Sequence, residues 1–149
     1  MAPTFCLPDK DGEMTCLADR RGMHTIIYFY PKDGSKGCTQ QAKDFSAAKK
    51  KFEQMGVEVI GISPDSQSSH DKFVKKNDIT VKLLSDEASE VCEAYGVWQK
   101  KSMYGKEFMG VVRTTYVIGP DCRIEEAWHK VKVPGHVDEV LAVVSGLLA

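Results

Sequence analysis

The stretch IIYFYPKDGSKGCTQQAKDFSAAKKKFEQMGVEVIGI, residues 26–62, decides the fold. Its first five residues are apolar and β-prone without alternation, which is typical of a strand that is covered on both faces. Residues 39–55 then place apolar side chains at spacings of three and four, the pattern of an amphipathic helix. Residues 57–62 form a second apolar run. Strand, helix and strand make a βαβ unit, so the two strands should be parallel and the first should be central.

The sequence after this unit continues the alternation of helices and strands. Helices are predicted over residues 67–76, from a cap at Ser85-Asp86 to about Tyr95, and over 137–144. Strands are predicted over 81–84, 112–118 and 124–128, and the last two should form a hairpin around residues 119–121. Residues 99–110 are expected to be irregular. We therefore expect one α/β domain, residues 1–149, with a central mixed sheet flanked by helices.

Composition and charge narrow the function classes. The chain has 149 residues, of which 42% are apolar and 28% are charged, the ordinary balance of a globular protein with one core. Its net charge is −1 and its basic residues are spread along the chain, which argues against nucleic-acid binding. No apolar run approaches the roughly 20 residues of a membrane-spanning helix, and the N-terminus lacks a signal-peptide pattern. We therefore expect no membrane partner and a cytoplasmic location.

The cysteine pattern predicts free thiols. The chain has five cysteines, an odd number, without a Cys-x-x-Cys pair or a zinc-like spacing. They are Cys6 and Cys16 in N-terminal strands, Cys38, Cys92 and Cys122. In a reducing compartment an isolated cysteine is by default a small buried hydrophobe. The four histidines show no helical metal pairing. No metal and no other cofactor is therefore expected.

Cys38 differs from the other cysteines because it stands where a loop becomes a helix. The first backbone N–H groups of a helix are unpaired and the helix dipole is positive there, so a thiolate is stabilised at such a position. The preceding Gly37 allows a substrate to approach the backbone closely. Position alone leaves open that Cys38 is an ordinary buried cysteine.

Three residues around this junction carry a resemblance to a known family. Pro31, Ser35 and Cys38 match the pattern Pro-x-x-x-(Thr/Ser)-x-x-Cys, the active-site signature of the peroxiredoxins, which the chain therefore resembles. Further stretches are similar to the bacterioferritin-comigratory-protein (PrxQ) branch of that family and cover nearly all of the chain. They are YFYPKD at 28–33, GCT at 37–39, VIGISPDS at 59–66, LLSD at 83–86, AYGVW at 94–98 and VKVPGH at 131–136.

The resemblance implies a thioredoxin-like fold and a thiol peroxidase that reduces hydrogen peroxide and organic hydroperoxides. In such an enzyme Cys38 attacks one peroxide oxygen and becomes a sulfenic acid. Arg113 matches the arginine whose fixed charge stabilises the transition state, and Ser35 matches the hydroxyl that orients the peroxide. Pro31 would shield the sulfur. The backbone amides of Gly37 and Cys38 would bind the substrate.

Several alternatives stay open at this point. Without the resemblance, Arg113 would be assigned to a surface salt bridge. Gln41 either supports the site or faces solvent. A phosphate-binding loop is unlike this sequence, because Lys36 precedes Gly37 where the Walker pattern requires the reverse. A Cys-dependent hydrolase would need a histidine beside the Cys38 sulfur. A non-catalytic module of the same fold would react with peroxide no faster than an ordinary thiol.

The step that removes the sulfenic acid departs from the branch. Its usual resolving positions are occupied here by Lys43, on the Cys38 helix, and by residues 71–75 including Val74, on the next helix. We therefore expect a one-cysteine cycle in a monomer, with thioredoxin, glutaredoxin or glutathione as the reductant that condenses with the sulfenic acid. An internal disulfide with Cys92 is the alternative. It would require the Cys38 helix to unwind, because disulfide Cα atoms lie within about 7 Å of each other.

Overall fold

The computed structural model describes residues 1–149 and contains nine strands and four α-helices. The strands are β1 Cys6–Pro8, β2 Met14–Cys16, β3 His24–Phe29, β4 Val57–Ser63, β5 Lys82–Ser85, β6 Trp98–Met103, β7 Lys106–Val111, β8 Thr114–Ile118 and β9 Ile124–Trp128. The helices are α1 Lys36–Gln54, α2 Gln67–Asn77, α3 Glu90–Ala94 and α4 His136–Leu148, with a short 3-10 helix at Leu17–Arg20. None of the helices combines the length and the apolar character that crossing a bilayer requires.

Strand β3 is the centre of a five-stranded mixed sheet with the order β5-β4-β3-β8-β9. β3 and β4 run parallel, from His24 opposite Val57 to Phe29 opposite Ile62, and α1 connects them. On its other side β3 pairs antiparallel with β8, which forms a hairpin with β9. The predicted central strand, parallel βαβ unit and closing hairpin are confirmed, and so is the mixed α/β architecture with helices beside the sheet.

Two hydrophobic layers cover the two faces of this sheet. Ile26 and Tyr28 of β3 lie in the layer that contains Cys38 and the inner faces of α1, α2 and α4, which we call the Cys38 layer. The alternate residues Ile27 and Phe29 lie in the layer that contains Cys92 and buried residues of the β1–β2 hairpin, which we call the Cys92 layer. The sheet therefore separates Cys38 from Cys92.

Residues 99–110 belong to a hairpin, so the prediction of an irregular segment was wrong. β6 and β7 pair antiparallel along all six residues of each strand, as a separate two-stranded sheet. Tyr104 and Gly105 form the two-residue turn, and both have positive φ, 52° and 79°, as the tight turns of hairpins require. Most of the hairpin side chains are exposed. No alternation of apolar and polar residues therefore marks these strands in the sequence.

The start of α3 also differs from its prediction. Ser85 ends β5 and does not cap a helix, and α3 covers only Glu90–Ala94. Asp86 nevertheless binds the start of α3, because its carboxylate accepts hydrogen bonds from the backbone N–H groups of Val91 at 3.3 Å and Cys92 at 2.8 Å. A turn at residues 87–89 lies between this carboxylate and the helix that it caps.

A disulfide between Cys6 and Cys16 contradicts the prediction of five free thiols. The two residues face each other in the antiparallel pair β1–β2, with Cα atoms 4.1 Å apart. Beside them the Leu17 N–H donates to the Phe5 carbonyl at 3.1 Å, which marks a non-hydrogen-bonded pair, the closer of the two antiparallel arrangements. The pairing depends on the hairpin register, which cysteine spacing does not show. The free cysteines are Cys38, Cys92 and Cys122.

Candidate active site

Cys38 is the third residue of α1, which begins at Lys36 rather than at the predicted residue 39. Ser35 is the N-cap. Its hydroxyl accepts a hydrogen bond from the Cys38 backbone N–H at 3.3 Å, and its carbonyl accepts one from the Thr39 N–H at 2.9 Å. Cys38 belongs to the Cys38 layer and is only 1% exposed. The sulfur therefore sits in the first turn of a long helix, away from bulk water.

Arg113 lies between β7 and β8 and places its guanidinium beside the Cys38 sulfur. Its Nη2 is 3.3 Å from Cys38 Sγ and donates a hydrogen bond to it. The Arg113 carbonyl accepts a bond from the Val131 N–H at 3.0 Å, which ties this residue to the segment after β9. A permanently charged donor at this distance stabilises negative charge on the sulfur. The salt-bridge alternative for Arg113 is wrong, because its guanidinium contacts Cys38 and Gln41.

Gln41 binds the other terminal nitrogen of this guanidinium. Its Oε1 accepts a hydrogen bond from Arg113 Nη1 at 2.6 Å. Gln41 is 0% exposed, so the solvent-facing alternative is wrong. Its position three residues after Cys38 was the signal for this role, because residues at that spacing share one face of a helix. The amide and the sulfur together fix the orientation of Arg113.

Gly37 is needed because Arg113 approaches the backbone closely. A Cβ at this position would lie 3.1 Å from Arg113 Nη2 and 3.9 Å from Val133 Cγ2. The first distance is shorter than an ordinary carbon–nitrogen contact, so a side chain here would push against the guanidinium. The close approach predicted for a substrate at Gly37 is thus already made by a residue of the protein.

Ser35 and Pro31 border the site. The Ser35 residue is exposed, and its hydroxyl donates to the Lys32 carbonyl at 3.3 Å while it accepts from the Cys38 N–H. Both bonds are long, so an incoming polar group can replace them. Pro31 is half-buried and lies two residues after the end of β3. The expected actions of Ser35 and Pro31 on a peroxide stay predictions.

A buried network anchors the loop between β3 and α1, and the sequence analysis did not identify it. Asp33 accepts a hydrogen bond from Tyr30 OH at 2.6 Å, and its Oδ2 lies within hydrogen-bond distance of His70 Nδ1, at 2.7 Å. The Asp33 backbone N–H donates to Asp65 Oδ2 at 2.8 Å, and His70 Nε2 donates to the Leu84 carbonyl at 3.0 Å. Burial raises the pKa of Tyr30 well above its ordinary value, so its hydroxyl stays a donor. The loop is thereby tied to α2, to β5 and to the turn after β4.

The same network contains the one group of side chains that could bind a metal ion. Ligand atoms of Asp33, Asp65 and His70 lie within 4.8 Å of one another. Each of these atoms is already engaged in hydrogen bonding, in part with Ser63 and Ser69, whose hydroxyls donate at 2.7 Å and 2.8 Å. A metal ion would have to displace bonds that hold the loop, so we assign the group to structure.

Two further side chains lie within electrostatic range of the Cys38 sulfur. Burial raises the pKa of Tyr28, and negative charge on Cys38 raises it further. Burial and the charge of Arg113 lower the pKa of Lys101, on β6, whereas the Cys38 charge raises it. The separate hairpin therefore brings a second cation toward the site. Neither residue was predicted to lie near the site, because their proximity to Cys38 depends on how β3 and β6 pack against α1.

The histidines are engaged away from the sulfur. His24 pairs with Glu125 at 2.9 Å, His70 with Asp33 at 2.7 Å and His136 with Thr115 at 2.8 Å, while His129 is exposed. Burial lowers the pKa of His136. The hydrogen-bond donor at the Cys38 sulfur is an arginine. The Cys-dependent hydrolase alternative therefore lacks its base.

The remaining free cysteines lie on the other face of the sheet. Cys92 and Cys122 belong to the Cys92 layer. Burial raises the pKa of Cys92, and hydrogen bonding to the nearby Asp86 carboxylate raises it further. The empty resolving positions are an exposed Lys43 on α1 and a half-buried Val74 on α2. In this fold, therefore, no free thiol other than Cys38 lies in the Cys38 layer.

Comparison with known proteins gives consistent matches over most of the chain. Residues 1–127 match the model of the AhpC/TSA family. Peroxiredoxin Bcp of Bacillus subtilis (strain 168) is 41% identical over 140 residues, 94% of this chain and 89% of that protein. Peroxiredoxin Bcp of Escherichia coli (strain K12) is 40% identical over 141 residues, 95% of this chain and 90% of that protein.

Solved structures match the whole architecture. Peroxiredoxin Q of Xanthomonas campestris superposes with a TM-score of 0.92 at 39% identity, over 97% of this chain and 92% of that one. A bacterioferritin comigratory protein structure from the same organism, described for its alkyl peroxide reduction activity, gives a TM-score of 0.92 at 38% identity over the same shares of both chains. These proteins share the sheet and the helices that position the site.

Proposed function

The chain belongs to the AhpC/TSA family as a thiol peroxidase of the peroxiredoxin Bcp (PrxQ) type with a thioredoxin-like fold, and from this premise we propose that Cys38 is its peroxidatic cysteine. The observation that carries the proposal is the 3.3 Å contact between Arg113 Nη2 and Cys38 Sγ. Of the three free cysteines, Cys38 is the one whose sulfur accepts a hydrogen bond from a cation.

The reaction follows from this arrangement. The Cys38 thiolate attacks one oxygen of the hydroperoxide, the S–O bond forms as the O–O bond breaks, and the sulfur is oxidised to a sulfenic acid. The leaving oxygen takes up a proton and departs as water or an alcohol. Negative charge moves from the sulfur toward that oxygen during the attack. Arg113 stays charged throughout, and Gln41 holds it in place, so its donors are already oriented when the charge develops.

The residues around the sulfur have supporting roles in this proposal. Ser35 exchanges its long bond to the Cys38 N–H for a bond to the peroxide, which frees that amide. The substrate then binds this amide together with the Gly37 amide. Pro31 limits the access of water to the sulfur. Serine lacks the methyl group of the commoner threonine, so its hydroxyl is less restricted before the substrate binds.

A hydroperoxide is the substrate, and we propose that both hydrogen peroxide and organic hydroperoxides are reduced. The O–O group has to reach the Cys38 sulfur beside Arg113, whereas the rest of an organic substrate would extend outward past the exposed Ser35. The X. campestris bacterioferritin comigratory protein, described for alkyl peroxide reduction, supports the organic class by similarity.

We propose a one-cysteine cycle, in which a thiol from outside the chain condenses with the Cys38 sulfenic acid. Thioredoxin, glutaredoxin and glutathione are the candidate reductants. The 2-Cys alternative through Cys92 is disfavoured, because Cys92 lies on the opposite face of the sheet, is 0% exposed and has a raised pKa caused by burial and Asp86. Its thiol would have to cross the sheet to reach Cys38.

The proposal also covers the domain organisation, oligomeric state and cellular location of the protein. We propose that residues 1–149 act as one domain and as a monomer, since the site is assembled from α1 and the β7–β8 segment of one chain. The cycle consumes thiol reductant, which the cytoplasm supplies. Neither nucleic acid nor a membrane is proposed as a partner.

The test is peroxide titration of dilute, fully reduced protein, followed by intact mass and peptide mapping. We expect one oxygen atom on Cys38 as sulfenic acid, or two as the sulfinic acid that a second peroxide produces, and no disulfide from Cys38 to Cys92 or Cys122. A fast intramolecular disulfide at Cys38 would contradict the one-cysteine cycle. If Cys38 reacts no faster than an ordinary exposed thiol, it is not the peroxidatic residue, and the chain is a non-catalytic member of its fold.

A further inference from the structure

Cys6 and Cys16 form a second redox centre that the cycle above does not use. Cys6 is exposed, Cys16 is half-buried, and they are joined by a disulfide within the β1–β2 hairpin. We propose that this pair, in its dithiol form, resolves the Cys38 sulfenic acid of a second copy of the chain and becomes the Cys6–Cys16 disulfide. This inference rests on the proposed role of Cys38.

The hairpin keeps the two cysteines together without the help of the disulfide. Asp9 N–H donates to the Glu13 carbonyl at 2.9 Å, and Asp9 Oδ1 accepts from the N–H groups of Asp11 at 2.9 Å and Glu13 at 3.0 Å. The buried side chains of Phe5 and Leu17 anchor the hairpin to the Cys92 layer. The reduced thiols therefore stay opposite each other, and closing the disulfide needs little backbone movement.

The location of the pair requires that it act on another molecule. The hairpin packs on the Cys92 layer, and the sheet separates it from Cys38. Within one chain Cys6 has no path to Cys38 in the folded state. Between two chains the exposed Cys6 is well placed, because Cys92 and Cys122 are 0% and 8% exposed and unsuited to contact a partner. Cys6 is thus the accessible thiol that this sequence offers in place of the missing resolving cysteine.

The chemistry balances in two steps. The Cys6 thiolate attacks the sulfur of the Cys38 sulfenic acid, a Cys38–Cys6 disulfide forms between the copies, and the oxygen leaves as water after taking up a proton. The Cys16 thiolate then attacks the Cys6 sulfur, which releases Cys38 as a thiolate and leaves the Cys6–Cys16 disulfide. The dithiol supplies both electrons. An external dithiol, such as a thioredoxin-like protein, reduces the exposed disulfide by exchange and restores the pair.

The relay moves the point of contact with the reductant. In the relay the external reductant meets Cys6, an exposed residue at the open end of a hairpin. The Cys38 residue, which is 1% exposed, has to be reached only by Cys6 of the second copy, and the first turn of α1 has to open for that step. The N-terminal hairpin would then be the reductant-binding site of this chain, on the face of the sheet opposite to the peroxide site.

The experiment follows one equivalent of hydrogen peroxide added to fully reduced protein without other thiols, over a hundredfold range of protein concentration, with peptide mapping after alkylation. We expect a Cys6–Cys16 disulfide whose rate of formation rises with protein concentration and which is absent in Cys38→Ser. In Cys16→Ser we expect a covalent dimer joined from Cys38 to Cys6. Cys122→Ser is the matched control and should behave as the wild type does.

Three results would overturn the relay. Cys6 and Cys16 could remain thiols at every concentration while Cys38 is oxidised, which leaves the peroxidase proposal intact. The disulfide could form equally fast in Cys38→Ser, which would show direct oxidation of the pair. Its rate in the wild type could be independent of protein concentration, which would place the transfer within one chain. Failure of Cys38 itself to be oxidised would instead contradict the proposed function.

Discussion

Cys38 and Cys92 start from the same local structure and end in opposite environments. Each is the third residue of a helix with a serine N-cap, and they are 1% and 0% exposed. The backbone N–H of each also donates to a side-chain oxygen, Ser35 Oγ for Cys38 and the Asp86 carboxylate for Cys92. The charge beside the sulfur differs. Arg113 contacts Cys38, whereas Asp86 and burial raise the pKa of Cys92.

A position at the start of a helix therefore does not by itself make a cysteine reactive. The longer helix adds to the contrast, since α1 has 19 residues and α3 has 5, so the dipole at Cys38 is the larger one. The neighbouring charge then decides the outcome. A cation favours the thiolate that attacks peroxide, and an anion favours the inert thiol.

Removing the two sulfurs in turn gives the largest expected contrast. Cys38→Ser should abolish peroxide reduction, because a serine hydroxyl does not supply an anionic nucleophile at neutral pH. Cys92→Ser should retain most of the wild-type rate. Steady-state peroxide consumption with a thiol reductant measures both variants, and circular dichroism checks that each folds. Substantial turnover by Cys38→Ser would show that another residue is peroxidatic.

Removing the cation should make Cys38 resemble Cys92. We expect Arg113→Ala to lower the second-order rate constant for hydrogen peroxide by about ten- to a thousandfold, in line with the loss of a preorganised charge-stabilising donor. Stopped-flow measurement of the oxidation step isolates this effect from reduction. Arg113→Lys should be faster than Arg113→Ala but slower than the wild type, because lysine restores the charge without the paired Nη donors of the guanidinium. A near-normal rate in Arg113→Ala would make the arginine structural.

Removing the hydrogen bond that orients Arg113, while keeping the arginine, should have a smaller effect on the rate. In Gln41→Leu the guanidinium loses its 2.6 Å bond, so we expect the oxidation rate constant to fall by about tenfold through misplacement of Arg113. The neighbouring Gln40 is exposed and bonds to Asp44, which makes Gln40→Leu the matched control. Equal rates in both variants would show that the sulfur alone holds Arg113 in place.

The pH dependence of stability should report the environment of Cys92. Its folded-state pKa is raised by burial and by Asp86, so the folded protein keeps a proton that the unfolded chain loses at alkaline pH. Its contribution to stability is therefore complete below the ordinary cysteine pKa and is lost as the pH rises above it. Relative to Cys92→Ala, the wild type should lose about 1.4 kcal/mol per pH unit above roughly pH 9. Urea unfolding at several pH values measures this, and parallel curves would contradict it.

The part of the candidate site that lies in one continuous segment could be predicted from the sequence. The apolar run of β3, Pro31, Ser35 and the helix start at Cys38 all lie within residues 26–38. Local sequence pattern was therefore sufficient to predict where these features lie. Arg113 is 75 residues from Cys38 and was assigned only through the family resemblance. The partner of that arginine, Gln41, shares a face of the Cys38 helix, and its role was left open because its contact with Arg113 joins segments 72 residues apart.

Features that depend on pairing between segments escaped prediction. The Cys6–Cys16 disulfide requires the register of β1 against β2, and the β6–β7 hairpin lacks the buried face that usually marks strands. Asp86 was recognised as a capping residue, yet its place beside Cys92 depends on the turn at 87–89. In each case tertiary contacts decided a conformation that short-range preference left open.

We infer that charge environment, rather than position in a helix, separates Cys38 from Cys92. The most direct measurement is a competition between the two thiols within one chain, in a Cys6→Ser/Cys16→Ser background that removes the exposed pair. Limiting hydrogen peroxide is added at neutral pH, and peptide mapping gives the oxidation rate of each thiol. The account predicts that Cys38 is oxidised at least about a hundredfold faster than Cys92 in folded protein, and that the two rates converge in concentrated urea. Comparable rates in the folded protein would contradict it.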